Sequence, residues 1–430
     1  MRFKTSVPAA ATLLLLLGST SAFAVDAQAF ATRLKAVAAQ QNVDLSYDSA
    51  EAQGDNVVLK GMTLASSGDK GKVGDITFEG VTGSTEEGWT VKRIPIADID
   101  VTEKDTHTTV KGMTIEGVQL VGTQAKDVPA ALQFTDVYFD RAGLGSLHVE
   151  KGGKPVFDLT DASIANSLGK DGVLASDIDF GTFKANFANG DPETAKRMHD
   201  LGYDTVSGTI GGSASWDPQK GLLGLDPFEI DIENAGDLSF SYAMSGYTPA
   251  FIKSMQDMQK QMAASPEGKQ AAGMAMMGLM SQLSLNSADL VYSDDSLADK
   301  LLTYYAQQNG MTKEQLIQQL TGMLPPLLSY LQNPDFQQEV TNAVTTFLKD
   351  PQSLSISIEP DKPVPAMQIM GAAMGAPQTL PKVLSMTVSA NDVDQEDDNG
   401  AVPNDGDMTN PDAGSAGGTG GSGDAGVSGN

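Results

Sequence analysis

Residues 43–245 are written almost wholly in short runs of alternating apolar and polar residues, divided by Gly, Asp and Asn. A period of two suits a pleated strand with one buried face and one wet face. Repeated at this density it restricts the region to antiparallel sheet. The alternation predicts strands at 57–65, 73–81, 89–101, 108–121, 131–139, 146–150, 155–160, 173–187, 205–216, 228–233 and 237–244. Asn234-Ala235-Gly236 suits a tight hairpin between the last two.

The phase of the alternation breaks in places. Ile178 and Phe180 share one parity and Phe183, Ala185 and Phe187 the other, so a bulge or bend is expected at Gly181-Thr182. The phase also changes near Pro95, between Val91 and Ile94. Proline has no N–H to give a ladder, so that strand is expected at an edge or bulged. Long strands bent in this way predict a curved sheet, open as a groove or closing towards an incomplete barrel.

One stretch occurs twice: Lys60-Gly61-Met62-Thr63 and Lys111-Gly112-Met113-Thr114. Strict alternation puts Met62, Leu64, Met113 and Ile115 on the lysine side, leaving Gly and Thr as a small-residue face open to a helix or a ligand. The flanks diverge, so this is a local echo marking mid-sheet and not a repeat protein.

Helical signals lie at both ends of this region and once inside it. Residues 26–41 carry Phe30, Leu34, Val37 and Ala38 at helical spacing. Asp191-Pro192 starts a helix that Gly202 stops, with Met198 and Leu201 expected to face the sheet. From Tyr247 the period becomes about 3.6. Helices are expected after Asp295-Ser296, after the capping box Thr312-x-x-Gln315, and after Asn333-Pro334, with Pro325-Pro326 ending or kinking the second. Strands at 284–292, 353–358 and 383–389 bring the chain back to sheet.

The first 24 residues read as a cleaved export signal: Arg2 and Lys4, an apolar run at 9–17, then Ala22-Phe23-Ala24. The apolar run is about half of what a membrane span needs. Export to the periplasm or the exterior is therefore expected, with no transmembrane anchor after cleavage. Residues 391–430 carry nine acids and no Lys or Arg, a composition expected to stay disordered. The formal charge of −27 disfavours nucleic acid and anionic surfaces as partners.

The chain has no cysteine and three histidines, His107, His148 and His199. Thiol catalysis and thiolate metal sites are excluded, and no cofactor or metal is expected. The acidic tail fails the calcium-loop register twice: Gln395 falls where the first ligand belongs before Gly400, and Pro403 and Ala401 fall in ligand places before Gly406. No nucleophile elbow or phosphate-cradling loop is present. Carboxylate pairs such as Asp177/Asp179 and Asp98/Asp100 share strand faces but are common in so acidic a chain. A non-enzyme is the expectation, with carboxylate hydrolysis the only catalytic route left open.

The remaining candidate surface is rich in methionine: Met255, Met258, Met262, Met276, Met277 and Met280. Thioethers fill core gaps, and they also make soft surfaces for apolar ligands or partners. The signal segment, long strands such as 173–187, and Leu285-Asn286-Ser287-Ala288-Asp289-Leu290-Val291-Tyr292 running into helices resemble exported, uncharacterised envelope proteins of Gram-negative bacteria, of the YdgA-like and AsmA-like sorts. The AsmA-like resemblance implies a curved sheet holding lipid acyl chains; those families typically retain a membrane anchor, which this chain is expected to lose with its signal.

The expected fold is α+β: an extended, curved antiparallel sheet with a C-terminal helical insert packed against it. Its expected divisions are 1–24 (signal), 25–245 (β-rich with an N-terminal helix), 246–390 (helical and β, completing the same sheet) and 391–430 (tail). The expected function is binding of an apolar ligand such as a lipid in the sheet's groove. The alternative is an envelope interaction protein that uses its sheet edges and acidic surface.

Overall fold

The structure, a computed structural model, describes residues 25–66, 69–133, 135–264 and 269–392. The expected signal segment and acidic tail lie outside the described residues. The fold is α+β, dominated by antiparallel sheet that stays open and does not close into a barrel.

Helix α1 (Ala27–Gln40) begins at Asp26, whose carboxylate accepts from the Ala29 N–H at 2.9 Å. That bond satisfies one of the donors a helix start leaves free. The helix packs on a small sheet in which β3 (Asn56–Ser66) pairs with β4 (Asp69–Phe78) on one side. On its other side lie β1 (Asp44–Ser46) and β2 (Ser49–Gln53). Phe30 is fully buried, edge-on to Phe78 at 5.1 Å and to Trp89 at 5.7 Å. Arg33, also buried, donates to the Val121 carbonyl from Nε at 2.9 Å and from Nη2 at 2.5 Å, and Nη2 pairs with Asp136 at 2.9 Å.

The chain then builds a sixteen-stranded sheet among the described residues. Its first strands are β5 (Thr82–Ser84), β6 (Gly88–Pro95), β7 (Ile99–Glu103), β8 (Thr106–Lys111), β9 (Thr114–Val121) and β10 (Val137–Tyr138). A meander follows: β11 (Arg141–Lys151), β12 (Lys154–Leu168), β13 (Leu174–Asn186), β14 (Thr205–Asp217), β15 (Leu222–Ile232), β16 (Gly236–Ser245) and β17 (Ser284–Asp294). The far end is β18 (Ser353–Ile358), β19 (Val364–Pro365) and β20 (Met386–Ala390). From β11 to β18 each strand lies beside its predecessor in sequence.

Helices fill the connections. α2 (Pro192–Asp200), capped by Asp191, joins β13 to β14, and its Met198 is half-buried. α3 (Pro249–Ala264) and α4 (Lys269–Met280) join β16 to β17. α5 (Leu297–Gln308), α6 (Lys313–Leu328) and α7 (Pro334–Lys349) join β17 to β18. α8 (Ala366–Gly375) and α9 (Leu380–Val383) precede β20. The capping box at Thr312 and Gln315 is formed in both directions, and α6 runs through Pro325-Pro326 to Leu328. α7 lays Phe336, Ala343 and Phe347 on the sheet against Val388, Leu354 and Tyr292.

The expected bends are real and aligned. Asp179 and Thr182 flank a register shift with Phe180-Gly181 bulged between them, and Gly181 is left-handed at φ +66°. On β12 the facing Asp161 is left-handed too, and Gly145 and Gly112 continue the line on β11 and at the β8–β9 junction. The crease thus crosses neighbouring strands at matching positions while the ladders resume beyond it. Each expected long strand at 89–101 and 108–121 is split by it, into β6 and β7 and into β8 and β9.

Three left-handed glycines have their N–H held by an aspartate: Gly61 by Asp75 at 3.0 Å, Gly112 by Asp98 at 3.1 Å and Gly181 by Asp179 at 2.7 Å. The Gly61 N–H, and then Lys60, hold the Asp75 carboxyl below its usual range. This explains the Lys-Gly-Met-Thr echo and corrects its expected facing. The glycine is a bulge that reverses the phase, so Met62 is buried with Leu59 and not on the side of Lys60.

Two other expectations fail. In place of a strand over 131–139 there is a single 3-10 turn at Ala130–Leu132, a left-handed Asp136 and two paired residues. Ala131 and Leu132 alternate too briefly to mark a strand and are buried through the turn. The last strand starts at Met386, not at 383, because α9 and a left-handed Ser385 precede it.

Candidate apolar binding face

Cross-strand partners share a face, so the register assigns the two sides of the sheet. One row crosses eleven strands: Ile94, Ile115, Ala142, Ile164, Ile178, Gly212, Phe228, Phe240, Leu290, Ile356 and Val388. It contains no polar side chain. A second row on the same side runs Ile99, Val110, Leu147, Leu159, Phe183, Gly208 and Ile232. The reverse side reads Thr114, Gly143, Ser163, Asp179, Gly211, Glu229, Ser239, Val291, Ser355 and Ser389. The sheet is therefore amphipathic over its whole width.

Both ends of the apolar side are covered. α1 and the small sheet pack over Trp89, Val91, Ile94, Val118 and Leu120, and α7 packs over Val388 and its neighbours. The middle is not sealed among the described residues. Phe180 is 44% exposed, Phe240 and Leu290 38% each, and none of them belongs to a buried cluster. A native sheet this apolar is ordinarily covered by a second layer.

Where the crease crosses this side the sheet forms an open depression of about 390 Å³. Ile96, Met113, Ile115, Ala142, Leu144, Leu159, Ala162, Ile164 and Phe180 line it, together with Thr114, Gly143, Ser163 and Asp179. The bulges build it: the phase reversal at Gly145, Asp161 and Gly181 turns Leu144, Ala162 and Phe180 to the same side as Leu147, Leu159 and Phe183. Larger hollows flank the start of α1, but carboxylates or hydroxyls of Asp26, Asp55, Thr82, Ser84, Thr85 and Glu86 line the largest of them. The sequence signal for the depression is present but faint: apolar residues beside Gly and Ala at strand phase breaks.

The methionines divide. Met258 is buried with Phe251, Leu279 and Leu283, and Met255 and Met280 pack on that cluster. These three hold α3 and α4 together beside Tyr247 and Ala366, at the ends of β16 and β17. Met276 and Met277 point outward, and the Met262 side chain lies outside the described residues.

On the polar side the sheet joins two histidines that are far apart in sequence. His148 hydrogen-bonds Asp158 and, at 3.2 Å, Glu150. His107 bonds Asp100 at 2.8 Å and lies 3.7 Å from Glu150. Asp158 above all raises the affinity of His148 for a proton, and Asp100 does the same for His107. A histidine with a raised folded pKa lends stability that is present below its unfolded pKa and lost as pH rises through the folded value. NMR titration should therefore place both imidazoles above 6.5, and the stability lost in His148→Gln should shrink as pH climbs past that range.

Three of the four aspartates singled out by spacing have structural work, Asp98 and Asp179 at glycine bulges and Asp100 on His107. Burial, then Glu229, Asp231 and Asp295, push the Asp237 carboxyl up, but it lines none of the hollows described. Among the described residues no group of three or more His, Asp or Glu is placed to hold a metal ion. No helix among them is long and apolar enough to cross a membrane.

A family model described as an uncharacterized protein matches residues 229–391, from β15 to the end of β20. No curated protein matches the chain.

Proposed function

We propose that this is an exported, non-catalytic protein that binds a lipid acyl chain, or a ligand of the same chemistry, on the apolar side of its large sheet. One observation carries the reading: the uncovered middle of an unbroken apolar row, deepened by the depression at the crease. The backbone there is spent on its own ladders, so a ligand needs methylenes and no hydrogen bonds. Each buried methylene contributes about 0.8 kcal/mol, so a chain of about sixteen carbons burying half of them gains roughly 6 kcal/mol. That corresponds to a dissociation constant on the order of tens of micromolar. The resemblance to AsmA-like envelope proteins agrees in kind.

The test is fluorescent fatty-acid binding, with lipid extraction and mass spectrometry of the purified protein. Ile164→Glu should weaken binding at least about tenfold by setting a carboxylate under the chain. Ser215→Glu, exposed on the same side of β14 as Gly211 and away from the depression, should leave it unchanged. An empty protein that binds no fatty acid ends the proposal. A second reading, partner binding through a sheet edge, is favoured by β7, which among the described residues pairs only with β8 and leaves Ile99 and Val101 exposed. Stoichiometric cross-linking to one envelope protein, without ligand, would select it.

A further inference from the structure

The C-terminal helices expose a second apolar surface, separate from the sheet. Three segments of this strongly acidic chain, 270–288, 315–334 and 363–381, contain no charged residue. They are joined in space. The Ala366 N–H donates to the Leu283 carbonyl at 2.9 Å, and β19 pairs with β17, which seats α8 beside α4. Asn333 Nδ2 donates to the Gln378 carbonyl at 2.9 Å, which brings the end of α6 against the turn after α8. On these elements Met323, Leu327, Tyr330 and Met374 stand out, from 51% exposed at Met323 to 88% at Met374.

We propose that this surface docks on a lipid bilayer, and that the bilayer it fits is electrically neutral. Large apolar side chains on helix ends, with a tyrosine among them and no charge to desolvate, meet the requirements of the water–lipid boundary. A protein interface ordinarily closes on a polar rim, and these three segments carry no charged residue to form one. The charge pattern then selects the lipid. A chain at −27 is repelled by an anionic leaflet, and nothing in these three segments offsets that repulsion. Zwitterionic headgroups carry no such penalty. The surface shares no residue with the acyl-binding face, so either assignment stands if the other fails.

Flotation of the full chain with phosphatidylcholine vesicles tests this. The protein should float with them, and replacing part of the lipid with phosphatidylglycerol should weaken flotation at low salt and restore it at high salt. The triple variant Leu327→Glu, Tyr330→Glu, Met374→Glu should lose binding about tenfold or more, while its unfolding midpoint stays within a degree or so because all three side chains are exposed. Failure of the wild type to float, or flotation indifferent to the triple variant, overturns the proposal. A concentration-dependent dimer that the triple variant abolishes would also overturn it, by assigning the surface to a second copy of the chain.

Discussion

Gly181→Ala should destabilise the protein by about 3 kcal/mol or more, from one added methyl group. The residue sits at φ +66°, where an L side chain costs roughly 1–2 kcal/mol. Its Cβ would also overlap the Thr160 carbonyl oxygen, a backbone atom of the neighbouring strand that cannot swing away. Relieving that overlap means moving β12 or β13 at the crease, and overpacking of this kind costs typically 1–3 kcal/mol more. Gly54→Ala is the control. Gly54 has nearly the same backbone angle, φ +70°, with open space around it, so its cost should stop at the conformational part, about 1–2 kcal/mol. Urea unfolding of the two variants separates conformational strain from steric overlap. Equal losses would show that the crease absorbs a side chain freely.

Phe30→Ala should cost about 3–5 kcal/mol, the range for emptying a buried phenylalanine site. The ring is fully buried between Phe78 and Trp89, so it joins the helix to the small sheet and to the first strands of the large one. The lost contacts cannot be replaced by collapse, because Arg33 pins the helix to Val121 and Asp136 three residues on. A cavity should therefore persist. Tryptophan fluorescence should report it directly, since Trp89 is one of only two tryptophans in the chain. A loss under 1 kcal/mol would mean that α1 contributes little to the core.

Much of this architecture was legible in the sequence. Alternation located nearly every strand from β3 to β16, and Asp191, Thr312 and Asn333 marked the helix starts, because both signals are local. The phase break at Gly181 was readable for the same reason. Strict alternation misread Met62, since a left-handed glycine and an ordinary one are spelled alike. The depression was not legible as a site. Ile115, Ala142, Ile164 and Phe180 are spread over four strands, and only the pairing register makes them neighbours. His107 and His148 likewise meet only through β8 and β11. The methionines drew attention through composition, which cannot distinguish Met258, inside a helical pair, from Met277, outside it.

The meander from β11 to β17 bears on how the molecule comes into being. Each strand there pairs with the one made just before it, so the sheet can grow by short loop closures in the order of synthesis. The exceptions are the step from β16 to β17, which must wait for α3 and α4, and the step from β17 to β18, which must wait for α5, α6 and α7. Until α7 arrives, the outer edge of β17 and the adjacent apolar row stand bare together. A chain interrupted near residue 300 would expose both at once, making that interval its most aggregation-prone moment. The last strand ends this exposure: Glu339 of α7 accepts the Val388 N–H at 2.8 Å and occupies a donor on the edge that a further strand would need.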